Sequence, residues 1–262
     1  MVLTIAGFDP SGGAGVAADL KTFAALRTYG IAAITSLTSQ NTQAVFATFH
    51  QSVEVVRAQL IPLCEDFQID AVKIGMLPTR ELIEFVAATI QQFGLKNIVL
   101  DPVFRSSSGY DLINIEALQT LVEKLFPLVD LITPNLDEAS VLLQRKISNE
   151  DDMKVAAAEL QQQTSCRAVL VKGGHLSGEA CDILFYENAC EIFSAPRVET
   201  VNTHGTGCTL SSAIAANLAH GATIPEAVRE AKNYVTEALK KSLTVGKGKG
   251  SLNHFSNQYR DR

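Results

Sequence analysis

Short apolar runs alternate along the chain with longer segments in which apolar residues recur every three or four positions, the pattern of buried strands alternating with amphipathic helices. Residues 2–8 predict a strand, and Leu20, Phe23, Ala24 and Leu26 mark a helix over 14–29. Strands follow at 32–37, 71–77, 97–103, 131–133 and 168–171. Helices at 53–65, 80–93, 115–126 and 151–163 lie among them, and a further helix opens at 133–138. Residues 183–186 and 190–194 flank Glu187, Asn188 and Ala189 and predict a hairpin. Leu210, Ala213, Ile214 and Leu218 define a helix that begins near Cys208 and stops at Gly221. Pro225 opens the last helix, with Val228, Ala231, Val235 and Leu239 on its apolar face. Because the crossovers are helix-sized, the prediction is a single α/β domain over 1–245. It has a mostly parallel central sheet of roughly seven or eight strands with helices on both faces. The Gly/Lys run reaching Lys249 predicts a mobile tail over 246–262.

Composition narrows the class of protein. At 262 residues, 47% hydrophobic and 19% charged, the chain can bury a full core. A net charge of −6 without a Lys/Arg stripe argues against a nucleic-acid partner and for a small ligand. The cysteines (Cys64, Cys166, Cys181, Cys190 and Cys208) are scattered, odd in number and without a C-x-x-C pair. That speaks against a disulfide framework and a zinc site, and suits a reducing cytoplasm. No apolar run approaches the roughly 18 residues of a membrane span, and VLTIAGF follows Met1 with no basic segment, so neither a span nor a signal peptide is expected.

The chemistry gathers at predicted strand ends. Gly205, Thr206 and Gly207 form a small-residue turn at the start of a helix, where bare N–H groups and the helix dipole favour an anion. Cys208 falls in the first turn of that helix, as a base beside the anion or as a small buried filler. The loop from Gly7 to Gly15 is glycine-rich, yet it has no lysine where a Walker A loop needs one and does not fit the dinucleotide pattern. Gln40 offers an amide suited to a heterocycle edge, or else to solvent. Asp101 ends a β-prone run, a common place for a metal ligand, while Glu138 either complements a helix dipole or binds the same metal. Lys172, beside two glycines, reads as a phosphate contact or as a solvated turn lysine.

The stretches LTIAGFDPSGGAGVAADLKTF, TSQNT, KIGML, LDPV, ITPNLDEA, LVKGGHL, NTHGTGCTLSSAIAA and AKNYV, from Leu3 to about Leu239, resemble the hydroxymethylpyrimidine and phosphomethylpyrimidine kinases of thiamine biosynthesis. These belong to the ribokinase-like superfamily. The resemblance implies a three-layer sandwich that uses ATP and Mg²⁺. Its substrates are 4-amino-5-hydroxymethyl-2-methylpyrimidine and then the monophosphate, which becomes the diphosphate. It implies Cys208 as the catalytic base and Gly205, Thr206 and Gly207 as the anion hole. Gly7, Asp19, Gln40, Met76 and Val103 would line the pyrimidine pocket, Asn135, Lys172 and Thr203 would face the nucleotide, and Asp101 and Glu138 would position Mg²⁺. A homodimer is implied as well. The chain departs from the family pattern at Phe8 and in the loop after Val103, where Ser107 stands in the place of a lysine and Arg105 lies two residues before it. A pyridoxal or pyridoxine kinase of the same superfamily is the alternative. A catalytically dead pyrimidine-binding protein is a second, and a cysteine hydrolase built on His204 and Cys208 is a third.

Overall fold

The computed structural model describes residues 1–104, 113, 115–174, 176 and 178–255. In chain order the elements are β1 (Val2–Phe8), α1 (Gly15–Ala25), β2 (Gly30–Gln40), β3 (Val45–His50), α2 (Val53–Asp66), β4 (Ala71–Ile74), α3 (Arg80–Phe93), β5 (Ile98–Leu100) and α4 (Ile115–Thr120). After them come β6 (Leu131–Ile132), α5 (Leu136–Leu143), α6 (Glu150–Thr164), β7 (Ala168–Lys172), β8 (Ala180–Tyr186), β9 (Ala189–Ala195), α7 (Thr206–Ala219) and α8 (Ile224–Lys240). The strands form one sheet in the order β3-β2-β1-β4-β5-β6-β7-β8-β9. From β2 to β7 the neighbours run parallel, while β3, β8 and β9 are antiparallel.

Alternate residues of the central strands enter opposite layers. Leu3, Ile5, Val72, Ile74, Ile98 and Leu100 join the core under α2 to α6, whereas Val2, Ala71, Val99 and Leu131 join the core under α1, α7 and α8. A strand covered on both faces needs apolar residues at every position, which is why these elements read as continuous apolar runs.

The sheet has nine strands among the described residues, more than the pattern predicts, and the addition is β3. It pairs with the outer half of β2, so Thr38, Ser39 and Gln40, which lie beyond the predicted strand over 32–37, continue that strand. This ribbon projects from the layered core, and both Phe46 and Phe49 of β3 are exposed. With no burial to satisfy, it carries no clean alternation of apolar and polar positions. The hairpin of β8 and β9 turns through Glu187 (φ 50°) and Asn188 (φ 61°), the two left-handed residues of a tight hairpin, and Ala189 joins β9. No helix among the described residues is long and apolar enough to cross a membrane.

The tail expected from residue 246 is packed on the domain as far as Phe255. Leu252 is buried, and the Asn253 amide donates to the Ala238 carbonyl of α8. His254 is also buried, with Nδ1 3.2 Å from the Tyr234 hydroxyl and 3.4 Å from that of Thr22. Its Nε2 has no hydrogen-bond partner among the described residues. Burial, helped by nearby Lys21, pushes this imidazole down from 6.5 to about 4. The unfolded chain therefore binds a proton that the folded chain refuses as pH falls from about 6.5 to 4, and stability is lost across that window. The expected loss is about 3 kcal/mol. Denaturation of the parent and of His254→Phe at pH 7 and pH 4.5 should show a smaller acid-induced drop in the variant.

Candidate active site

Two loops interlock at the carboxyl edge of the sheet. Gly205, the N-cap of α7, has φ +81°, and a Cβ there would collide with the Gly13 carbonyl. Only glycine combines this backbone with this approach. The Asp9 carboxylate organises the opposite loop. It accepts from the Ser11 amide (2.8 Å), the Ser11 hydroxyl (2.9 Å) and the Ala14 amide (3.0 Å), and it pairs with His204 Nε2 at 2.7 Å. Burial works to raise the Asp9 carboxyl, but the bonds from His204 and Ser11 prevail and hold it below its ordinary value. His204 is thus the partner of Asp9, one residue before the anion turn. Thr206 donates its hydroxyl to the Thr203 carbonyl at 2.8 Å, while Gly207 and Cys208 fall in the first helical turn, whose amides have no acceptor within the helix.

Polar side chains converge on this helix start from three neighbouring strands. Asp101 follows β5, Thr133 follows β6 and Lys172 ends β7. Asp101 Oδ1 accepts from Lys172 Nζ at 2.6 Å and from the Thr133 hydroxyl at 3.1 Å. A Cβ on Gly207 would lie 3.3 Å from Lys172 Nζ and 3.6 Å from Asp101 Oδ2, so the ion pair sits against the turn. Glu138 and Asn135 form a capping box on α5: the Asn135 amide donates to Glu138 Oε2 at 2.7 Å, and the Glu138 amide donates to Asn135 Oδ1 at 2.9 Å. The helix-start role of Glu138 is therefore realised in the geometry. Burial pushes its carboxyl up to about 7, with Lys172 pulling down and Asp101 pushing up. Lys172 stays cationic: burial opposes its charge, but Asp101 and Glu138 outweigh that and raise it.

Burial likewise pushes the Cys208 thiol up to about 11, against the pull of Lys73. Lys73 is fully buried on β4 and binds Asp19 at 2.9 Å. Asp19 also accepts the hydroxyls of Thr4 (2.7 Å) and Ser212 (2.7 Å). The structure thus places Asp19, named above for the pyrimidine pocket, inside the protein, where it ties α1, β1, β4 and α7 together. Lys73 was missed in the sequence. Its signal was a lysine inside the apolar run AVKIGML, which demands a buried counter-charge.

On the other side of the turn, a Cβ on Gly7 would lie 3.1 Å from Met76 Sδ. Val103 is half-buried and donates its amide to the Asp101 carbonyl at 2.9 Å. Gln40 is held by the Thr38 hydroxyl on its Oε1 (3.1 Å), and its Nε2 is 3.4 Å from His204 Nε2. Thr203 is exposed at the mouth. Arg105 and Ser107 lie outside the described residues. No group of three His, Cys, Asp or Glu that could hold a metal gathers among the described residues. Mg²⁺ needs less, commonly taking one or two carboxylates with waters and substrate phosphates. Asp101 and Glu138, both buried beside Lys172, meet that requirement.

The sheet, with a glycine turn at a helix start facing a lysine–aspartate pair along its carboxyl edge, has the architecture of the ribokinase-like small-molecule kinases. Residues 9–253 match the family model described as phosphomethylpyrimidine kinase. A hydroxymethylpyrimidine/phosphomethylpyrimidine kinase of Rhizobium meliloti is 45% identical over 264 residues, covering 100% of this chain and 99% of that protein. The chain belongs to the phosphomethylpyrimidine kinase family. Among solved structures, a phosphomethylpyrimidine kinase from Clostridium difficile is 45% identical with a TM-score of 0.81, covering 91% of this chain and 99% of that one. The ADP complex of Bacillus subtilis pyridoxal kinase is 38% identical with a TM-score of 0.91, covering 98% of both chains.

Proposed function

We propose that the chain transfers the γ-phosphoryl group of ATP to the hydroxymethyl group of 4-amino-5-hydroxymethyl-2-methylpyrimidine, and then to the phosphate of the resulting monophosphate, in thiamine biosynthesis. The observation that carries this reading is the convergence of Gly207, Cys208, Asp101 and Lys172 on one point at the helix start. Phosphoryl transfer needs positioning and charge neutralisation above all, and a helix N-terminus with a buried lysine provides both. The substrate hydroxyl oxygen attacks the γ-phosphorus while the bond from that phosphorus to the β-phosphate oxygen breaks and ADP leaves with the electron pair; the hydroxyl proton goes to the Cys208 sulfur, which takes it in its thiolate form. Burial opposes the thiolate there, and the ammonium of Lys73 favours it. Asp101 and Glu138 would hold Mg²⁺, which neutralises phosphate charge when bound. The deciding experiment is ATP turnover with the pyrimidine, its monophosphate and pyridoxine offered separately. Turnover of pyridoxine alone establishes the vitamin B6 reading, which the likeness to Bacillus subtilis pyridoxal kinase favours. Turnover of none of the three leaves a binding protein.

Gln40 reads the ring in this proposal. Gln40→Leu is expected to weaken pyrimidine binding by about 1–3 kcal/mol, the range for an unpaired heterocycle edge, with little effect on ATP. Calorimetric titration of each ligand checks this. Equal weakening of both would mean that Gln40 acts on the fold and not on the ring.

A further inference from the structure

Lys73 stands where an apolar side chain would serve the core. It alternates with Val72 and Ile74 along β4, so it shares a face with Ala71 and enters the layer of α1 and α7. Its ammonium is fully buried and binds Asp19 Oδ2 at 2.9 Å. Well-packed apolar residues of similar volume often replace a buried ion pair without loss, so stability alone does not explain this one.

The two partners are unequally supplied. The Asp19 carboxylate takes the hydroxyls of Thr4 and Ser212 as well as the ammonium. The ammonium has three N–H groups and spends one on Asp19, with no other hydrogen bond among the described residues. A Cβ on Gly75 would lie 2.9 Å from Lys73 Nζ, so the side chain climbs β4 toward the carboxyl edge, where the anion turn lies. Ser212 and Cys208 are four residues apart on α7 and share one face. The Cys208 sulfur therefore lies one helical turn nearer the site than the Ser212 hydroxyl that Asp19 holds. Burial weighs most against a thiolate there, and Asp101, after β5, and Asp19, on α1, add to it. Lys73 is the strongest of the charges on that sulfur and favours the thiolate, as does Lys172 from β7.

We propose that Lys73 is a positioning residue for the proton transfer, its buried charge keeping the Cys208 sulfur able to accept the substrate proton. The inference rests on the reading of Cys208 as the base. As the substrate oxygen bonds to the γ-phosphorus and ADP leaves with the electron pair, the hydroxyl proton passes to the thiolate, which becomes a neutral thiol. Lys73 neither gives nor takes a proton. Burial opposes its charge, but Asp19 helps to outweigh that, and it stays an ammonium throughout.

The test follows kcat/KM against pH, with MgATP, for the pyrimidine and for its monophosphate. The proteins are the parent, Lys73→Met and Lys73→Met/Asp19→Asn, with a thermal melt of each. The ascending limb for the pyrimidine reports the base of the free enzyme. Lys73→Met should move that limb up by about 1–3 pH units, the usual pull of a neighbouring opposite charge, and lower kcat/KM below it by roughly 10–1000-fold. The monophosphate dianion brings no proton to remove, so its rate should fall much less. Lys73→Met strands the Asp19 charge and should melt early. The double variant removes both charges and should recover stability. Its limb should still lie above the parental position, because Lys73 bears on the sulfur more strongly than Asp19 does. A parental limb in the double variant overturns the proposal, as do equal losses with both acceptors; either would leave the pair a packing element. Cys208→Ala separates the two levels of the argument. If it keeps near-parental turnover of the pyrimidine, the base reading itself falls. If it loses turnover while the Lys73 variants keep the parental limb, only the role of Lys73 is wrong.

Discussion

Cys208→Ala is expected to lower kcat for phosphorylation of the hydroxymethyl group by roughly 10²–10⁴, the usual loss for a positioned base. The melting temperature should stay near that of the parent, because the thiol makes few demands on the core and alanine suits a helix. The two steps of the reaction separate a base from a merely packed thiol. An alcohol must shed a proton as it attacks, whereas a phosphate dianion brings no proton to remove. A base role therefore predicts a much smaller loss with the monophosphate as acceptor. Steady-state kinetics on both acceptors decides the matter, and an equal loss in the two steps would assign Cys208 to positioning. Near-parental turnover of both acceptors would remove it from the chemistry.

Asp101→Ala is expected to unfold the protein earlier as well as silence it. The Asp101 carboxylate accepts from both Lys172 and Thr133, and its side chain is almost fully buried. Removing one partner of a buried ion pair costs about 3–5 kcal/mol, which for a chain of this length lowers the melting temperature by roughly 6–15 °C. Glu138 limits the damage. Asp101 helps to hold the Glu138 carboxyl up near 7, so loss of Asp101 eases its ionisation beside Lys172. The double variant Asp101→Ala/Lys172→Met removes both charges and should recover much of the thermal loss while remaining inactive. Thermal melts and ATP turnover of both variants check this. Recovery of activity together with stability would mean that the pair is structural only.

The layered fold was legible because its central strands are buried on both faces and announce themselves as apolar runs. β3 was not, since its aromatic residues face outward and its partner strand is polar where the two pair. In the site, the Gly205–Gly207 turn could be read directly from glycines ahead of an apolar helix. Glu138 was ambiguous for a physical reason: the same carboxylate in a first helical turn serves a cap and a metal equally well. The pairing of Asp9 with His204 and of Asp19 with Lys73 spans 195 and 54 residues, and no local periodicity encodes which distant partner a buried charge will find. Gly and Lys at 246–249 suggest exposure, and most of them are exposed, while Leu252 and His254 beyond them are buried and carry no local signal of it.

The bond between Gly248 and Thr42 joins residues 206 positions apart. A ribosome adding about 5–20 residues per second needs about 10–40 s to make the second after the first. Throughout that interval the β2–β3 ribbon, with Phe46 and Phe49 uncovered, has emerged without the loop that pins its turn. Until the chain has passed Lys249, the turn of that ribbon lacks the hydrogen bonds that fix it.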